Sequence, residues 1–201
     1  MSETGYIEEL KSLFDFIELK VKLYESDKKL ICSYVTKEFI KKGHEIVRLN
    51  QTCESLKFVV SGIYRVYKLE EGKEITSYFN YESRNPFVAS FVSLLTKSPS
   101  NEIVECIKGG ELLTIKYSDW LKLYKQSERL NTFGRIMAEF NYVLAMERIE
   151  ALQYHNATER YESFLKLYPN LMNMIPHHYI ASYIGVAPES LSRIRKELTK
   201  K

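Results

Sequence analysis

The stretch IPHHYIASYIGVAPESLSRIRKELTKK, residues 175–201, constrains the fold more than any other part of the chain. It predicts two short helices with a sharp turn between them. Gly185 marks the turn, because glycine enters the left-handed backbone region without steric cost. Pro188 opens the second helix, where its missing N–H removes no hydrogen bond, and Glu189 beside it meets the positive end of the helix dipole. Ile180, Ile184, Val186, Leu191 and Ile194 fall in register for one small core, and Ala181 lets the two helices approach closely. This is the pattern of a helix-turn-helix.

The other face of the second helix is polar: Glu189, Ser190, Ser192, Arg193, Arg195 and Lys196. Residues four apart share a helix face, so Glu189 and Arg193 point the same way. In a DNA major groove an arginine donates two hydrogen bonds to guanine, and a glutamate accepts one from the cytosine amino group. The competing arrangement is a solvated helix with a salt bridge. The joint register of Ala181, Gly185, Pro188 and five apolar residues favours a DNA-reading helix. The candidate DNA contacts are Glu189, Ser190, Ser192, Arg193, Lys196 and Lys200. Charge agrees: the chain is +3 at neutral pH, and residues 177–201 hold five cations against two anions, so the whole excess lies there.

Upstream, the texture changes along the chain. Over residues 6–23, Ile7, Leu10, Leu13, Phe14, Ile17 and Leu23 recur mostly at spacings of three and four, which predicts an amphipathic helix. A second helix is expected over about 27–34, with Asp27 as its cap and Leu30, Ile31 and Tyr34 inward. Seven short β-branched and aromatic segments follow, EFIKKG, EIVRL, LKFVVSG, IYRVYKL, EITSYFN, EIVECIKGG and ELLTIKY, broken by glycine turns. They predict an all-β unit, and the large side chains on both faces of IYRVYKL suit a rolled sheet. Residues 81–101 interrupt the series with a short apolar helix expected over about 87–95. Phe87, Val88, Phe91, Leu94 and Leu95 would plug the open end of the roll; the segment lacks a glycine-rich turn or an arginine to hold a phosphate.

A short helix from Ser118 precedes a long one from about Glu128 to the region of His155. Phe133, Met137, Phe140 and Leu144 follow a 4, 3, 4 spacing, and Ile136, Val143 and Ile149 widen the apolar surface. One face can cover the roll while another meets a second copy of the chain; the alternative is a single-faced helix buried within its own domain. A further helix, with Tyr161, Phe164, Leu165 and Tyr168 inward, stops at Pro169. Cys32, Cys53 and Cys106 are too widely spaced for a zinc or disulfide frame and fit reduced thiols. No apolar run approaches the ~18 residues of a membrane span, and a cytoplasmic location is expected.

Taken together, β-roll, long helix and terminal helix-turn-helix resemble the cyclic AMP receptor protein and Fnr (Crp/Fnr) family of bacterial transcription regulators. The resemblance is carried by TERYESFLKLYPNLMNMIP leading into IASYIGVAPESLSRIRKEL and, more weakly, by LKFVVSGIYRVYKLEEGKEITSYF. It implies an α+β fold in three parts: a cyclic-nucleotide-binding-like β-roll with N-terminal helices over 1–126, a long dimerisation helix over 127–156, and a helix-turn-helix DNA-binding domain over 157–201. It implies a homodimer on double-stranded DNA, with RNA polymerase as a further partner, and it places the family's base-reading glutamate and arginine on Glu189 and Arg193. No catalysis is implied.

The departures from the family pattern carry further expectations. Members that bind cyclic AMP hold the ribose with a Gly-Glu pair and the phosphate with an Arg-Ser pair; here those positions fall on Ala89 and Ser90, and on Ser100 and Asn101. A phosphate buried without its arginine is poorly satisfied, so control by cyclic AMP is not expected, and Ser90, Ser100 and Asn101 remain the candidates for any other effector. The iron–sulfur branch needs cysteines this chain lacks, and no histidine among His44, His155, His177 and His178 stands out as a haem ligand, so no cofactor and no metal are expected. Pro188 replaces an arginine that some members use for a third base contact, and Ala187 stands where a capping Ser or Thr is usual, at ~1 kcal/mol of capping. No wing is expected after the recognition helix. Two other classes compete: a small-molecule sensor whose helical C-terminal domain contacts a protein partner, and a cupin-type metal enzyme, which the isolated His44–Glu45 pair does not support.

Overall fold

The computed structural model describes residues 10–199. Helices α1 (Lys11–Glu18) and α2 (Glu25–Cys32) lead into eight strands. These are β1 (Thr36–Ile40), β2 (Glu45–Val47), β3 (Ser55–Val59), β4 (Ile63–Glu70), β5 (Lys73–Tyr81), β6 (Phe87–Val88), β7 (Ile103–Lys108) and β8 (Gly110–Lys116), with helix α3 (Phe91–Thr96) between β6 and β7. Helices α4 (Tyr117–Gln126), α5 (Glu128–Tyr154), α6 (Ala157–Leu167), α7 (His177–Ile184) and α8 (Pro188–Leu198) complete the described chain.

The strands form two antiparallel four-stranded sheets, ordered β1-β8-β3-β6 and β2-β7-β4-β5. Their inward side chains, among them Leu56, Phe58, Tyr64, Val66, Val104 and Leu112, share one core with α1, α2, α4 and the start of α5. The alternation of β4 explains its bulky pattern. Tyr64 and Val66 belong to this core, whereas Ile63 belongs to a second core on the opposite face, and Arg65 stacks on Tyr179 on that side. The sheet is therefore buried on both faces, an arrangement that leaves no polar side to read in the sequence.

Several expectations are corrected. The first described helix ends at Glu18, and Leu23 is buried in the loop beyond it; Tyr6 and Ile7 lie outside the described residues. α2 begins two residues before Asp27, and Asp27 occupies its third position, accepting the Tyr24 backbone N–H at 2.9 Å in a capping box. Phe87 and Val88 pair with β3 as an edge strand, so the helix starts only at Phe91. The plug holds for Phe87, Val88 and Leu94, which are buried in the roll, but Leu95 is 60% exposed. On α5 the 4, 3, 4 spacing stays inward through Phe133 and Met137 and then fails at Phe140, which is exposed.

Candidate nucleic-acid interface

Helices α7 and α8 meet around Gly185, whose φ of +72° ends α7 in the left-handed region. The Val186 N–H closes back on the Ala181 carbonyl at 3.0 Å. Pro188 is the first residue of α8, and Ala187 at its cap makes no side-chain hydrogen bond. Ile180, Ala181, Ile184, Leu191 and Ile194 are buried together, with Val186 packed against them. Tyr161, Phe164, Tyr168 and Leu171 complete this core from α6 and the turn after it.

That core leaves the opposite face of α8 in solvent. Glu189, Ser192, Arg193 and Lys196 are exposed and Ser190 is half-buried. Glu189 and Arg193 do not engage each other: Arg193 Nη2 donates to Ser190 Oγ at 3.2 Å. Arg195 differs from its expected exposure, since it is half-buried with Nη1 2.9 Å from both ring nitrogens of His177. It braces α8 against α7. Lys200 lies outside the described residues.

The helix pair is also packed on the β-roll. Phe79 of β5 meets Phe164, Tyr168 and Tyr183 with ring centroids 6.3, 5.9 and 5.8 Å apart. The Thr76 N–H donates to Ser182 Oγ at 2.8 Å, and Ser182 in turn donates to the Glu74 carbonyl at 2.6 Å. Arg65, only 1% exposed, is stacked between Tyr67 and Tyr179 at 4.0 and 3.7 Å and pairs with Glu74 and Glu105. Two further arginines close the end of α7: Arg148 of α5 donates to the Tyr183 carbonyl, and Arg160 of α6 donates to the Ile184 carbonyl at 2.7 Å. Helix C-termini carry partial negative charge and unmade acceptors, which cations satisfy. Burial lowers the Arg148 pKa below the ordinary arginine value.

Of the three effector candidates, Ser90 and Ser100 come together inside the roll and Asn101 points to solvent. Ser100 Oγ lies 2.8 Å from Ser90 Oγ and 2.7 Å from the Glu102 carbonyl, and Ser90 donates to Glu102 Oε2 at 3.2 Å. Glu102, only 8% exposed, is the residue sequence reasoning missed here. Its place just before β7 was visible, but its inward turn was not.

A β-roll of two sheets, a long helix and a helix-turn-helix packed on the outer face of one sheet make up the architecture. The chain has the fold of the Crp/Fnr transcription regulators. It is similar to FixK2 from Bradyrhizobium japonicum, with a TM-score of 0.69 at 20% identity over 83% of this chain and 85% of that one. A transcriptional regulator of the Crp/Fnr family from Eubacterium rectale superposes with a TM-score of 0.67 at 24% identity, over 88% and 84%. The Thermus thermophilus catabolite activator protein does so with 0.55 at 21% identity, over 89% and 84%. No protein-family model matches the chain, and no curated protein sequence matches it.

Proposed function

We propose that this chain is a sequence-specific DNA-binding transcription regulator of the Crp/Fnr family, acting as a cytoplasmic homodimer and not controlled by cyclic AMP. The observation that carries this reading is α8. One face is held by the core of the helix-turn-helix, and the other presents Glu189, Ser192, Arg193 and Lys196 to solvent with no partner between Glu189 and Arg193. In that reading Arg193 and Glu189 read base edges, while Ser190, Ser192, Lys196 and Lys200 contact phosphates.

Dimerisation is supported by α5, which leaves Val143, Met146 and Ile149 about half exposed on a face turned from its own roll. A single chain gains nothing from such a stripe, whereas a second copy buries it. Independence from cyclic AMP is supported by the buried Glu102 carboxylate beside Ser90 and Ser100, because a phosphate placed there would meet a negative charge in a low dielectric.

Selection of bound sequences from a random duplex pool, without added nucleotide, is expected to return a two-fold-related motif. Arg193→Ala should weaken binding to that motif by about ten-fold or more and relax preference at one position in each half-site. An unenriched pool, or an unchanged profile for Arg193→Ala, contradicts the proposal.

A further inference from the structure

Arg148 is a half-buried cation that makes no ion pair with a carboxylate among the described residues. The titratable side chains beside it are Tyr183, Tyr168 and Arg160. Its guanidinium stacks 4.0 Å from the centre of the Tyr183 ring and donates to the Tyr183 carbonyl. A cation placed this way is held by the Tyr183 ring and by the negative end of α7, two residues before the turn at Gly185. Arg160 serves the neighbouring Ile184 carbonyl from α6, which shares the core of the helix-turn-helix, and its other bond goes to the His155 carbonyl at the junction of α5 and α6, five residues before it. Arg148 of the pair reaches across from within α5 itself, the element that carries the exposed apolar stripe.

We infer that Arg148 is a positioning residue that ties the turn before the recognition helix to the long helix, and so sets the separation at which the two recognition helices of a dimer meet DNA. The inference rests on the proposed reading of the chain as a dimeric DNA-binding regulator. In a two-fold dimer the paired long helices are the common frame, and half-site spacing is the distance from that frame to each recognition helix. A link that spans from frame to turn fixes this distance. Arg160, which meets α5 only at its junction with α6, holds the turn to the helix-turn-helix core instead.

The readout is affinity for a series of duplexes that carry the selected half-sites at different separations. Wild-type protein should show one narrow optimum. Arg148→Met keeps the aliphatic stem and loses the donor; it should bind the best duplex about ten-fold more weakly and show a flattened spacing profile, with the same bases preferred inside each half-site. Arg148→Gln serves the same test if the Met variant does not fold. Arg160→Met should retain the narrow optimum while lowering thermal stability. A narrow optimum kept by the Arg148 variants overturns the assignment of Arg148 alone. A wild-type protein that selects no paired half-sites overturns the regulator reading and this inference with it.

Discussion

Asp27 shows how much one side chain can decide. It is 3% exposed and accepts from the Tyr24 backbone N–H, from Ser127 Oγ at 2.6 Å and from Arg129 Nε at 2.8 Å. Burial alone would raise its pKa, but the bonds from Ser127, Arg129 and Tyr24 outweigh it and hold the carboxyl below its ordinary value of 3.8. The sign follows from linkage. A depressed folded-state pKa stabilises the fold fully above the ordinary value, and that contribution is lost as pH falls through the folded value. Urea unfolding at a series of pH values should therefore show a decline in acid, below about pH 4. Asp27→Asn should be less stable at neutral pH by about 2 kcal/mol and should show a shallower acid decline. The sequence marked Asp27 as a helix cap, which it is in part. It gave no sign of the second task, joining the start of α2 to the start of α5, because Ser127 lies 100 residues away.

Among the elements, α5 is where sequence periodicity was most informative and least sufficient. Its extent, Glu128–Tyr154, follows from the absence of proline and from the Ser127 cap, whose side chain accepts from the Leu130 N–H at 3.3 Å. Its inward stripe is legible through Met137. Beyond that the neighbouring element changes from roll to helix-turn-helix, and the inward position passes to Arg148, a residue that hydropathy assigns to solvent. The outward stripe is a property of the single chain and argues for a partner copy. Val143→Glu places a charge there without disturbing the monomer core, since Val143 is exposed. Sedimentation equilibrium should show dimer for the wild type and monomer for the variant, with helical ellipticity unchanged.

For the molecule as a whole, the consequential feature is that the helix-turn-helix shares a core with the roll. Ile63, Phe79, Tyr81 and Ile107 of the sheet lie in the same cluster as Phe164, Ile180, Ile184 and Leu191, so the second core crosses the expected division at residue 157. Two bodies joined this way unfold together. Fluorescence of Trp120, which sits in the roll core, and far-UV ellipticity should report one coincident thermal transition. Phe79→Ala removes a ring that is fully buried and touches three others. It should cost about 3–5 kcal/mol and separate the two probes, as the roll outlasts the released helices.

Local physics made much of this legible from sequence alone. Gly185, Pro188 and the spacing of Ile180, Ile184, Leu191 and Ile194 specify the helix-turn-helix, since turn conformation, helix start and helix face are settled by residues within a few positions of one another. The β segments were legible for the same reason. The exposure of Glu189 and Arg193 followed as the remainder of that pattern. Only the tertiary structure decided that Ser182 meets Thr76, 106 residues away, that Glu102 turns in beside Ser90 and Ser100, and that Arg148 reaches the end of α7. These pairings follow from how the two faces of one sheet are covered. A polar side chain of given type is stable on the surface or in a satisfied buried bond, and which of these it finds is set by the partner brought to it, not by its own neighbours in sequence.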